Sequence, residues 1–200
     1  MLKFIDNFLN KTTMYLVVLY VLIFFFCSVV LLSALKFLPY SPLGLTISLF
    51  IILFASYIFN TIFSYLYDAP TNTESVYITA LILFFIITPV IEGMYLKFLP
   101  IALLVSLYAT VSKYIFAIRK KHIFNPAAIS LVLLAFTINE PGSWWIGAPI
   151  MLPFIILAGL LITRKIRHMD LVLSFITSVL ATIFLLAILK SESFPNIFNS

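Results

Sequence analysis

The chain has 200 residues, of which 64% are hydrophobic and only 10% are charged. A soluble domain contains roughly 25% charged residues, and one of this length cannot bury so much apolar surface, so the composition excludes a water-soluble fold. The net charge of +5 comes largely from short loops between apolar segments. That distribution indicates orientation in a membrane and argues against nucleic acid as a partner.

Apolar segments follow one another along most of the chain. Four are about 20 residues or longer, the length with which a helix crosses a hydrocarbon core of roughly 30 Å. They cover residues 13–35, 43–67, 93–117 and 169–189. Shorter apolar segments cover residues 75–88, 126–138 and 149–162. We therefore predict an all-α, polytopic transmembrane helical bundle of about five to seven spans that includes two short half-helices.

Residues 13–190 form the predicted membrane domain, which makes contact with the lipid bilayer. A mildly basic lead-in of residues 1–12 precedes it, and a polar tail of residues 191–200 follows it. The length of the first apolar run exceeds that of a signal-peptide core, so we interpret it as a retained helix.

Residue types that start helices precede several of these segments. Ser41 is placed to cap the second helix, with Pro42 in its first turn. Asn125 followed by Pro126 has the same order. Thr71 has capping-box spacing to Glu74, which predicts that Thr71 caps the helix that follows.

The basic residues predict the orientation in the membrane. If every apolar segment crosses, the amino terminus and two basic loops share one side. That side holds Lys3, Lys11, Arg119, Lys120, Lys121, Arg164, Lys165 and Arg167. The opposite side holds Lys36 and Lys190 together with Glu92 and Glu140. The positive-inside rule therefore predicts a cytoplasmic amino terminus, although the 68–74 loop on that side carries no positive charge.

The segments at residues 75–88 and 126–138 are too short to cross a bilayer alone, because about 13 or 14 helical residues cover only roughly 20 Å. Paired short helices indicate a binding site in membrane folds built from repeats. Their amino-terminal ends carry unpaired N–H groups and partial positive charge, which suits an anion or a carbonyl-rich ligand. The alternative is that both are ordinary tilted helices.

Other chemistries find little support. Cys27 is the only cysteine, so no disulfide forms within the chain. His122 and His168 lie in basic loops rather than inside helices, which argues against haem ligation, and no residues have metal-ligand spacing. Lys97 and Lys113 lie in an apolar helix, where we expect them to extend to the membrane interface.

Six short segments of the chain form a recognisable series. They are ESVYITALIL (74–83), KYIF (113–116), FNPAA (124–128), WWIG (144–147), MLP (151–153) and RKIRHMDLVLSF (164–175). Together they resemble the RnfD/NqrB family, the flavin-carrying membrane subunits of Rnf and Nqr electron-transport complexes. The resemblance covers roughly residues 60–175, and the FNPA element after a lysine-containing helix is its most specific part.

The resemblance implies a bundle with inverted repeats in a bacterial plasma (inner) membrane, in which electrons pass through flavin while Na⁺ or H⁺ crosses. It implies other subunits of an electron-transport complex as partners, so the chain would be a subunit of an oxidoreductase/translocase. The family attaches flavin covalently at a Ser-Gly-Ala-Thr motif, which this chain lacks. Any FMN or riboflavin would therefore be held non-covalently. The family has about ten helices, more than this chain contains.

The position of the family's flavin pocket supplies the candidate site residues. The polar edge of flavin would be bound by Ser75, Thr79 and Asn125. The ring would be bound by Tyr77, Phe124 and Trp145, and Pro126 would open the half-helix. Each of these residues also has an ordinary role as a helix cap or an interfacial aromatic. Two other functions stay open, a channel or small-solute transporter without redox chemistry and a purely structural subunit.

Overall fold

The computed structural model describes residues 9–69, 72–90, 94–118, 121–140 and 142–190. Its helices are α1 (Met14–Ala34), α2 (Pro42–Leu66), α3 (Thr73–Ile86), α4 (Tyr95–Ile115), α5 (Pro126–Ile138), α6 (Leu152–Ile166) and α7 (Met169–Lys190). The strands β1 (Ala117–Ile118) and β2 (Lys121–His122) pair as a small antiparallel hairpin between α4 and α5. Turns of 3₁₀ helix cover Trp145–Gly147 and Pro149–Met151. Residues 9–11 are also helical.

Five helical segments of the described chain are long and apolar enough to cross a membrane. They are α1, α2, α4, Pro149–Ile166 and Met169–Ile188. The helices α3 and α5 are also apolar but have only 14 and 13 residues. The predicted all-α, multi-pass membrane fold with two short helices is therefore confirmed by length and composition.

The chain divides into two compact units, with the boundary between Leu157 and Ala158. The first unit contains α1 to α5 and the start of α6. The second unit contains the rest of α6 and α7, where the hydroxyl of Thr163 donates a hydrogen bond to the carbonyl of Gly159 at 2.7 Å. Both cavities considered below lie in the first unit.

Local sequence explains where the helices begin. The hydroxyl of Ser41 accepts a hydrogen bond from the N–H of Gly44 at 3.0 Å. The side-chain oxygen of Asn125 accepts one from the N–H of Ala127 at 3.0 Å. Both predicted N-caps are confirmed, each with proline in the first turn. The predicted cap of α3 is wrong, because Asn72 rather than Thr71 is its N-cap; Thr71 itself lies outside the described residues.

The short helix α3 is the centre of the first unit. It packs mainly against α1 and α2, and also contacts α4 and α5. Its buried residues cover most of its circumference, and the half-buried Ile78, Ile82 and Ile86 lie on the remaining face. The buried residues are Val76, Thr79, Ala80, Leu81, Leu83, Phe84 and Phe85. A helix that is apolar all round belongs inside a protein core rather than at its surface. Packing against the neighbouring helices therefore stabilises α3, which has only 14 residues.

Hydrogen bonds from distant residues complete the carboxyl end of α3. The indole N–H of Trp145 donates to the carbonyl of Phe84 at 2.9 Å. The backbone N–H of Ser143 donates to the carbonyl of Ile86 at 2.8 Å. Beyond the helix, the N–H of Val90 donates to the hydroxyl of Ser48 on α2 at 2.8 Å. These bonds satisfy backbone groups that would otherwise be costly in a water-free interior.

We expect Gly44→Ala to destabilise the protein, because an added Cβ would lie 2.7 Å from the backbone carbonyl oxygen of Val90. The segment after α3 would have to move, at a cost of about 1–3 kcal/mol. Thermal unfolding in detergent measures the effect. Gly159→Ala is the matched control, since a Cβ there meets no described atom within 4 Å. Equal melting temperatures for the two variants would contradict the close contact.

Candidate functional site

Two cavities flank the first turns of α3, and Ser75 lines both of them. The α3–α5 cavity has a volume of about 370 Å³ and is lined by Tyr15, Ser75, Ile78, Thr79, Ile82, Ile123, Phe124, Asn125 and Pro126. The α2–α4 cavity has a volume of about 380 Å³ and is lined by Asn60, Tyr67, Asp68, Ala69, Asn72, Ser75, Lys113, Tyr114 and Ala117.

The α3–α5 cavity contains most of the residues that the sequence suggested for ligand binding. They are Ser75, Thr79, Phe124, Asn125 and Pro126. Residues four apart on a helix share a face, so Ser75 and Thr79 stand together on α3. The segment that leads into α5 supplies the other three. The structure therefore brings the amino-terminal ends of both short helices to one cavity.

Polar groups in the α3–α5 cavity retain hydrogen-bonding capacity. The hydroxyl of Thr79 donates to the carbonyl of Ser75 at 2.7 Å, which leaves the lone pairs of its oxygen as acceptors. The oxygen of the Asn125 amide caps α5, so its NH₂ group remains a donor. Isoleucines 78, 82 and 123 and the half-exposed ring of Phe124 form apolar walls.

Two of the suggested ring contacts lie outside this cavity. Tyr77 is 40% exposed and lies on a different face of α3 from Ser75 and Thr79. Trp145 lies at the carboxyl end of α3, where its N–H is bonded to Phe84 and its ring packs edge-on against Tyr40. In the structure, Trp145 therefore pairs a free carbonyl at the carboxyl end of α3.

The two short helices run in the same direction. Residues at the start of α5 share the cavity with Ser75 and Thr79, whereas a Cβ added at Gly142, beyond the end of α5, would lie 2.9 Å from Ile86 at the end of α3. The opposed pairing expected of half-helices in an inverted repeat is therefore not the relation between α3 and α5. Their positively polarised ends instead lie side by side.

Lys113 is the polar residue near the site whose position the sequence did not reveal. Its ammonium group donates to the carbonyl of Ser75 at 3.1 Å and lies 3.4 Å from the hydroxyl of the same residue. The side chain is half-buried, whereas Lys97 at the other end of α4 is exposed, as expected. The contact joins residues 38 positions apart, and nothing in the local pattern of α4 indicates it.

Comparison with known proteins adds no further assignment: no family model, curated protein or solved structure matches this chain. Within the described ranges, no three His, Cys, Asp or Glu residues are grouped so that they could hold a metal ion.

The two ends of α5 should be accessible from opposite sides of the membrane. In a Cys27→Ser background, we expect Asn125→Cys to react with an impermeant maleimide in inside-out vesicles, because the positive-inside rule predicts a cytoplasmic location for that end. Ser143→Cys should react in right-side-out vesicles. Both side chains are exposed at the surface of the protein. Labelling of both variants from the same side would overturn this arrangement.

Proposed function

We propose that the chain is an integral membrane subunit of an ion-translocating, flavin-dependent electron-transport complex of the Rnf/Nqr type. The observation that carries the proposal is the α3–α5 cavity, in which the starts of two short helices meet beside the FNPA element. The segments ESVYITALIL and FNPAA, on which the family resemblance rests, supply most of its lining.

The residues of this cavity fit a flavin ring system. Flavin needs hydrogen bonds along its pyrimidine edge and apolar walls along its ring. Ser75, Thr79 and Asn125 would bond the edge, and Phe124 with its neighbouring isoleucines would cover the ring. Ligand pockets are typically about 300–1,000 Å³, and the 370 Å³ of this cavity lies within that range. When bound, flavin would supply the electron-carrying chemistry.

The protein's own contribution is to orient the ring and to stabilise negative charge. The NH₂ group of Asn125 would donate to a ring carbonyl, and the hydroxyl oxygen of Thr79 would accept from a ring N–H. The amino-terminal ends of α3 and α5 both present partial positive charge, which stabilises a ring that has gained an electron. The side chains of Ile78 and Ile82 would cover part of the ring and strengthen these interactions.

Polar groups between α2 and α4 support the ion-translocating part of the proposal. The hydroxyls of Ser56 and Ser106 are buried and have no hydrogen-bond partner in the described part of the chain. Unpaired buried polar groups are rare, and these two hydroxyls would suit a bound ion or water. Asn60 and Thr110, one turn further along each helix, are buried as well. Oxygen atoms of this kind coordinate Na⁺ or pass protons through water.

The first test is the colour of the purified protein. We expect absorbance at about 450 nm, where flavin absorbs. Acid should release the flavin, because no covalent-attachment motif is present. Thr79→Val should reduce the retained flavin about fivefold, since one hydrogen bond contributes roughly 1 kcal/mol. Flavin fluorescence per mole of protein measures the loss.

Thr61→Val is the matched control for Thr79→Val. The hydroxyl of Thr61 also donates to the carbonyl four residues before it, at 2.9 Å, but the side chain is exposed on α2. Its substitution should leave flavin retention unchanged. A colourless protein that carries ions across liposomes without an electron donor would replace this proposal with a channel or transporter. A colourless protein without flux, recovered in fixed proportion with other subunits, would indicate a structural role.

A further inference from the structure

The α2–α4 cavity is chemically unlike the α3–α5 cavity and lies on the other side of Ser75. It is formed where the carboxyl ends of α2 and α4 meet the start of α3. Its wall contains an ammonium group, two amide side chains, a serine hydroxyl and two tyrosines, and a single carboxylate. The cavity therefore offers several hydrogen-bond donors, one of them cationic.

Lys113 supplies the positive charge of the α2–α4 cavity. Its described hydrogen-bond partners are the two oxygen atoms of Ser75, both uncharged. No ion pair joins Lys113 to a carboxylate in the ranges that the structure describes. An ammonium group has three N–H donors, so at least one remains for a ligand. The Asp68 carboxylate also lines the cavity. Because it forms no ion pair with Lys113, the half-buried ammonium group can accept an anionic ligand.

Asn60 supplies a second donor from the opposite wall. It is only 7% exposed, and it lines the cavity. The hydroxyl of Tyr114 lies 3.2 Å from its Oδ1 and 3.3 Å from its backbone carbonyl. Because Tyr114 donates to Oδ1, the amide NH₂ of Asn60 is left as a donor without a partner among the described residues. Asn60 and Lys113 thus offer N–H groups from two different helices.

We propose that the α2–α4 cavity binds a phosphate group, with Lys113 as its counter-charge and Asn60 as a second donor. Charge-assisted hydrogen bonds to phosphate are short and strong, and Lys is a common phosphate ligand. Asp68 is exposed and lines the same cavity, where it suits the amine of a zwitterionic headgroup. The phosphate belongs either to a phospholipid headgroup, because the cavity lies at the ends of spanning helices, or to a soluble phosphate compound. This site does not depend on flavin binding in the α3–α5 cavity.

Thermal unfolding of the full chain in an uncharged detergent tests the site with two probes. One probe is inorganic phosphate, compared with chloride at equal ionic strength. The other is dihexanoyl phosphatidylethanolamine at submicellar concentration. We expect at least one probe to raise the melting temperature of the wild type, and Lys113→Gln to weaken its apparent affinity about tenfold. Lys97→Gln is the matched control, because Lys97 is an exposed lysine on the same helix.

Each outcome has a defined meaning. Stabilisation by the lipid alone assigns the phosphate to a headgroup, and Asp68→Asn should then reduce the preference for an amine-containing lipid. Stabilisation by inorganic phosphate assigns it to a soluble compound. The proposal is overturned if neither probe stabilises the wild type, or if Lys113→Gln responds as strongly as Lys97→Gln. If Lys113→Gln does not fold, Asn60→Asp replaces it, because its carboxylate repels phosphate while keeping the size of the side chain. Stabilisation of Asn60→Asp as strong as that of the wild type would then overturn the proposal.

Discussion

The fold depends on satisfying the backbone ends of α3, a 14-residue helix that is buried within the protein. A helix leaves N–H groups unpaired at its amino-terminal end and C=O groups unpaired at its carboxyl end, and lipid offers them no partner. The N-cap Asn72 accepts a hydrogen bond at the amino-terminal end. At the carboxyl end, the indole of Trp145 and the backbone N–H of Ser143 donate to the free carbonyls. The chain that follows is held by Ser48 on α2.

The same requirement explains why both cavities lie at the start of α3. Protein packs closely around the carboxyl half of the helix, where Leu83, Phe84 and Phe85 are fully buried. At the amino-terminal end the packing is looser, and Ser75 lines both the α2–α4 cavity and the α3–α5 cavity, which have similar volumes. One is lined by apolar side chains with a few polar groups, and the other by a cation and amides. The two ligands proposed above, a planar ring and a phosphate, would therefore bind on different sides of one short helix.

Sequence reasoning recovered the features that depend on local pattern. Apolar runs located the helices, and caps such as Ser41 and Asn125 located their starts, because both signals lie within a few residues. It also placed Ser75, Thr79 and Asn125 in one group, through the family resemblance. It missed Lys113 and the structural contact of Trp145, since their partners are 38 and 61 residues away. Such contacts follow from helix packing, which no local pattern encodes.

The central claim is that residues distant in sequence hold the carboxyl end of α3 and the chain that follows it. It is tested most directly on that following chain, by Ser48→Ala beside Ser28→Ala. Both serines are buried and donate to the carbonyl four residues earlier, at 2.7 and 2.8 Å. Only Ser48 also accepts a hydrogen bond from the N–H of Val90. Removing the Ser48 hydroxyl therefore leaves that buried N–H without a partner. The account predicts that Ser48→Ala lowers the free energy of unfolding by about 1–3 kcal/mol more than Ser28→Ala. Equal losses in the two variants would contradict it.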